Sequence, residues 1–190
     1  MCIWLSADSH FSHANILHLA GRDFPDIEAH DDALVCAWNN VVGKDDTVYH
    51  LGDFTLGGPR VALEIFARLN GHIRVLGYPW HHDKRWLPGM IGGFTGFFSA
   101  SGERVWIEMP MAVIEDVETN ADGRGVPAVL CHYPLESFDR QHYGAVPVHG
   151  HSHGRTPRVQ NRLDVGVELR DLKAACPEIE VILMTAFSSV

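Results

Sequence analysis

The amino-acid sequence predicts an α/β sandwich with mixed β-sheets. Three observations carry that reading. Apolar runs of strand length alternate with helical stripes through the first half of the chain. Strand-like runs then follow one another with almost no helix between them. Short polar islands rich in histidine and aspartate come directly after several of those runs.

Residues 2–7 read as a buried strand. Ala33, Leu34, Ala37, Trp38 and Val41 then fall at i, i+1, i+4, i+5 and i+8, one apolar stripe on a helix over 29–42. Residues 48–51 form the next strand. Val61, Ala62, Ile65, Phe66 and Leu69 repeat the same offsets, with Pro59 near the start and Gly71 just past the end as helix punctuation. Residues 73–76 complete the repeated βαβ units. Strands follow at 94–98, 104–109, 112–117, 126–131, 145–149, 163–167 and 180–184, expected to be antiparallel. The glycine-containing polar stretch 120–125 reads as a hairpin tip, and a short helix is expected near 170–175.

At 190 residues the chain is expected to be one domain, 1–190, with a full-sized core. It is 46% hydrophobic and 21% charged, an ordinary globular balance. Its apolar runs are too short to span a membrane, and residues 1–8 lack the basic region of a signal peptide. Cys2, Cys36, Cys131 and Cys176 are dispersed with no CxxC pair, which argues against a disulfide framework or zinc ribbon and favours a reducing cytoplasm. A formal charge of −9 argues against a general nucleic-acid surface. It leaves room for a small phosphate ligand, because bound cations invert the local field.

The chemistry lies in five islands: Asp8-Ser9-His10, Gly52-Asp53, His81-His82-Asp83, His132 and Gly150-His151-Ser152-His153. Residues i and i+2 leaving a strand project to the same side, so Asp8 and His10 can both reach one ion. His151 and His153, flanking one small residue after an apolar run, can each donate a ring nitrogen to an ion. Glycine before Asp53 lets the backbone turn sharply at a strand end. Taken singly, each island reads equally as a turn aspartate, a structural histidine or a solvated loop. Together they sit where α/β folds bind ligands, outside the carboxyl ends of strands, and chance becomes the poorer account.

The order DxH, GD, HD, H, GHxH resembles that of the calcineurin-like metallophosphoesterases. The resemblance runs from Asp8 to about Val167. Phe11-Ser12-His13-Ala14-Asn15-Ile16 and Val48-Tyr49-His50-Leu51-Gly52-Asp53-Phe54 are similar to the small bacterial and phage-type branch of that family. It implies a four-layer αββα sandwich holding two divalent transition-metal ions, of Mn, Fe, Zn, Co or Ni, since mixed nitrogen and oxygen donors suit these metals. Asp8, His10 and His153 would hold one ion, His132 and His151 the other, with Asp53 bridging. A hydroxide between the ions would attack phosphorus in a small phosphate ester or nucleotide, a phosphodiester ahead of a monoester. Where the family reads Gly-Asn-His-Asp, this chain reads Gly77-Tyr78-Pro79-Trp80-His81-His82-Asp83. His81 then takes the asparagine's place as a ligand, with His82 assisting the leaving group and Asp83 the second catalytic residue that the resemblance implies. The rival reading is a damaged second site with one tightly held ion. His13, Asn15 and Arg22 fit the branch pattern as substrate contacts, while helix capping accounts equally well for His13 and Asn15. A different class of function stays open, a non-catalytic binding scaffold of the same fold.

Overall fold

The computed structural model describes residues 2–78, 82–87, 92–119, 125–155, 162–167 and 187–188. In chain order the elements are β1 (Cys2–Ser6), α1 (Asn15–Leu19), α2 (Ile27–Val41), β2 (Thr47–His50), α3 (Pro59–Phe66), β3 (His72–Leu76), β4 (Gly93–Phe98), β5 (Arg104–Glu108), β6 (Met111–Thr119), β7 (Gly125–Cys131), β8 (Val146–His149), β9 (Leu163–Asp164) and β10 (Phe187–Ser188). Helix α2 starts where the Asp26 carboxylate accepts the Ala29 N–H at 2.8 Å, an N-cap that satisfies one orphan donor. Pro59 opens α3, where its missing N–H has no partner to lose.

The strands form two mixed sheets. One has the order β10-β1-β2-β3-β5-β4, and β1, β2, β3 and β5 run parallel between antiparallel edges. The other has the order β6-β7-β8-β9. Alternation along each strand separates two cores. Val48, Ile73, Val75 and Val105 pack with Leu34, Trp38, Ile65 and Phe66 of α2 and α3. Leu5, Leu51 and Leu76 point the other way and meet Ile114, Ala128, Leu130 and Val148 of the second sheet. Among the described residues this makes three layers: helices, six-stranded sheet, four-stranded sheet.

The structure departs from the sequence expectation in its second half. There β4 pairs with β5, and β6 with β7, in antiparallel fashion, but β7–β8 and β8–β9 are parallel. The connection over 132–145 is long enough for a parallel return, which needs roughly a dozen residues. This places the carboxyl ends of β7 and β8 at the same edge. The expected strand over 163–167 is ladder only at Leu163–Asp164, and an unexpected short strand, β10, pairs with β1. The hairpin tip expected at 120–125 (apart from Gly125, which begins β7), the helix near 170–175 and the strand at 180–184 lie outside the described residues, and a fourth, helical layer is not seen among the described residues.

Candidate metal centre

The carboxyl ends of β1, β2, β7 and β8 carry Asp8, Asp53, His132 and the 150–153 loop to one edge of the molecule. Beyond β1 the backbone continues alongside the segment after β2. Asp8 N–H donates to the Gly52 carbonyl at 3.0 Å, His10 N–H to Asp53 at 3.0 Å and Phe11 N–H to Phe54 at 2.9 Å. From the second sheet, Gly150 N–H donates to the His132 carbonyl at 3.0 Å. His151 N–H reaches across to Asp8 Oδ2 at 2.8 Å, tying the two sheets together at the site.

Five of the nominated ligands stand on left-handed backbone: Asp8 (φ 57°), His10 (53°), Asp53 (55°), His151 (67°) and His153 (48°). For a residue with a Cβ this costs on the order of 1–2 kcal/mol each. Ser12 (56°) and Arg140 (57°) share this conformation, but its concentration in donors at strand ends is characteristic of a functional site. Two glycines make room. A Cβ at Gly150 would lie 2.4 Å from Ala7 Cβ and 2.5 Å from Asp8 Oδ2, and one at Gly166 would lie 2.8 Å from that same oxygen.

The donors fall into groups. Asp8, His10 and His153 bring one ligand atom each within 4.8 Å of one another, as do Asp53, His132 and His151. Asp53 joins the groups: its Oδ2 lies 3.8 Å from His10 Nε2 and 3.6 Å from His132 Nε2. Two donors held about 2.1 Å from one tetrahedral ion are about 3.4 Å apart, close to these separations. Asp8 Oδ1 and both ring nitrogens of His10 are buried with no hydrogen-bond partner. Buried polar atoms left this way cost about 1–3 kcal/mol each, and a cation would satisfy them. The residues therefore fit a divalent metal centre.

The electrostatics point the same way. Burial pushes the Asp8 carboxyl up to about 7, opposed by the nearby His153 imidazole. Burial also pushes His10 down to about 2, despite the Asp53 carboxylate beside it. The pocket disfavours charge on its own walls, and keeps His10 in the neutral form that ligates. Behind it, His50 is fully buried and lowered to about 3 by desolvation. Gly52 N–H donates to His50 Nδ1 at 3.3 Å, so Nε2 carries the proton that reaches Ser9 Oγ at 2.9 Å.

Other nominated residues are placed differently. His82 lies beside the groups, its Nε2 3.9 Å from Asp53 Oδ2 and its side chain 37% exposed. His81 lies outside the described residues. Asp83, expected at the chemistry, is instead fully buried behind it. Its oxygens accept the N–H groups of Phe54 (3.1 Å), Thr55 (3.0 Å) and Trp86 Nε1 (2.7 Å), so it braces the loop that carries Asp53. Arg22, expected as a substrate contact, is placed among backbone carbonyls beneath the site. It is 2% exposed and donates to the carbonyls of Ser9 (2.8 Å), Asp8 (2.7 Å) and Val167 (3.0 Å) and to His30 Nε2 (2.9 Å). Its guanidinium holds the Asp8-Ser9 backbone from beneath. His13 is buried against His10 and His82, whereas Asn15 is exposed at the start of α1 and caps nothing with its side chain.

Three supports were not legible as site residues. Asp164 accepts Ser152 Oγ–H, Gly154 N–H (3.2 Å) and Gly166 N–H (3.0 Å), shaping the loop that carries His151 and His153. Tyr78 takes the His132 N–H at 2.8 Å and donates to the Pro110 carbonyl. Asp31 accepts Ser12 N–H at 2.9 Å and is paired with His30. Each acts across sheets or loops, and no local spacing marks it.

No family model matches the chain. It is 40% identical over 84 residues to the uncharacterized protein MJ1445 of Methanocaldococcus jannaschii, a stretch that covers 43% of this chain and 47% of that protein. The chain thus matches about half the length of that relative. It is 28% identical over 178 residues to the Gene 66 protein of Mycobacterium phage L5, covering 84% of this chain and 80% of the phage protein. The Gene 66 protein of Mycobacterium phage D29 is 26% identical over 176 residues. Among solved structures, a protein of unknown function from Aquifex aeolicus, AQ665, superposes with a TM-score of 0.59 at 20% identity, covering 90% of this chain and 92% of that one. That likeness extends to the fold.

Proposed function

We propose that this protein is a metal-dependent phosphoesterase with two divalent transition-metal ions. The observation that carries the reading is the position of Asp53: one carboxylate oxygen within 4 Å of an imidazole from each donor group. Asp8, His10 and His153 would hold one ion and His132 and His151 the other, with Asp53 available to both. His81, which lies outside the described residues, would be the further ligand that the sequence resemblance implies in place of the family asparagine. When bound, such a pair supplies Lewis acidity to a phosphoryl group and lowers the pKa of a coordinated water towards neutrality.

The chain's own residues do the rest. Arg22 and Asp83 keep the two ligand loops in register from behind. His82 is open to solvent beside Asp53, suitably placed to donate a hydrogen bond to the leaving-group oxygen. A phosphodiester is the preferred substrate class, on the strength of the sequence resemblance. The test is hydrolysis of bis-p-nitrophenyl phosphate and p-nitrophenyl phosphate by metal-stripped protein supplied with Mn²⁺, Fe²⁺, Co²⁺, Ni²⁺ or Zn²⁺. Turnover that needs added metal is expected, faster on the diester and at least a hundredfold slower in Asp53→Asn. Folded protein inactive on both substrates with every metal would refute the reading in favour of a binding scaffold.

A further inference from the structure

One donor group is left over. His10, His13 and His82 also bring one ligand atom each within 4.8 Å of one another. Their ring centres form a nearly regular triangle of 5.5, 5.0 and 5.3 Å. An imidazole bound through one nitrogen at about 2.05 Å has its ring centre roughly 3.2 Å from the ion, so three in tetrahedral array have centres about 5.2 Å apart. The triangle already has that size. His13 Nδ1 and both nitrogens of His10 are buried without a hydrogen-bond partner, and His82 opens the group to solvent.

We propose that His10, His13 and His82 form an alternative, all-imidazole seat for the first ion, selective for nitrogen-preferring cations such as Zn²⁺ and Cu²⁺. This rests on the two-ion reading above. The deeper set contains the Asp8 carboxylate, a donor that suits Mn²⁺, whereas three imidazoles suit Zn²⁺, Ni²⁺ and Cu²⁺. Both sets need His10, so one ion occupies one seat or the other. His13 then governs which metal is held rather than whether one is held.

The experiment is calorimetric titration of metal-stripped wild type, His13→Ala and Asp8→Asn with Mn²⁺ and with Zn²⁺, each checked for folding by circular dichroism. His13→Ala should weaken one Zn²⁺ site at least tenfold and leave Mn²⁺ affinity within about twofold. Asp8→Asn should do the reverse. The half-exposed His82→Ala provides a second test of the zinc seat should His13→Ala not fold. Cu²⁺ in the wild type should show electron-paramagnetic coupling to three nitrogens, reduced to two in His82→Ala. Equal weakening of both metals by each variant, with two Mn²⁺ still bound by the wild type, overturns this inference alone. Fewer than two Mn²⁺ in the wild type overturns the two-ion reading and this inference with it.

Discussion

Replacing Asp83 by alanine sets two large effects against each other, and the structure says which wins. The substitution strips the acceptor from three N–H groups, on Phe54, Thr55 and Trp86. At about 2 kcal/mol for each buried donor left unsatisfied, the loss is about 6 kcal/mol. Against this stands the cost of the buried charge. Desolvation raises the Asp83 carboxyl from 3.8 to about 6, partly offset by the Thr55 N–H it accepts, so its ionised form costs about 3 kcal/mol at neutral pH. The net expectation at pH 7.5 is destabilisation by about 3 kcal/mol.

The pH dependence has a definite sign. A carboxyl whose folded pKa is raised favours the folded state fully below 3.8, and that advantage is lost as pH rises through about 6. Wild type therefore recovers part of the cost on going from pH 7.5 to 5, while alanine has nothing to titrate. The gap between them should widen by about 1 kcal/mol at pH 5. Urea unfolding of both proteins in EDTA at the two pH values measures it. A variant as stable as wild type, or a gap that narrows on acidification, would refute the reasoning.

Three further outcomes are expected. Gly150→Ala forces a Cβ into Ala7 and Asp8 Oδ2, which should cost about 1–3 kcal/mol in thermal unfolding and weaken Mn²⁺ binding as Asp8 is displaced. Arg22→Lys keeps the charge but cannot span the carbonyls of Asp8, Ser9 and Val167 together, so metal affinity should fall about tenfold or more by titration; unchanged affinity would remove Arg22 from the ligand scaffold. Mn²⁺ at a hundred times its Kd should stabilise wild type by about 3 kcal/mol per site, a shift that Asp53→Asn should largely lose in a melting experiment with and without EDTA.

Much of the framework was legible in the chain itself. The stripe from Leu34 to Trp38 and the run from Val48 to Leu51 mark their elements because helix and strand periods depend on near neighbours. The donors after β1, β2, β7 and β8 were readable for the same reason, since a polar island directly after an apolar run is a local signal. Parallel pairing of β7 with β8 was not, because direction depends on how the 132–145 connection returns across the sheet.

The sequence by itself determined the α/β class, the strand ends and which residue types stand at them. Only the tertiary structure decided where those residues stand relative to one another. It sorted Asp8, His10, Asp53, His132, His151 and His153 into two groups joined by one carboxylate, drew His13 and His82 against His10, and withdrew Arg22 and Asp83 into supporting positions. The physical reason is range. Periodicity and turn chemistry act within a few residues, whereas a donor becomes a ligand or a brace according to partners as distant as His151 from Asp8 or Val167 from Arg22.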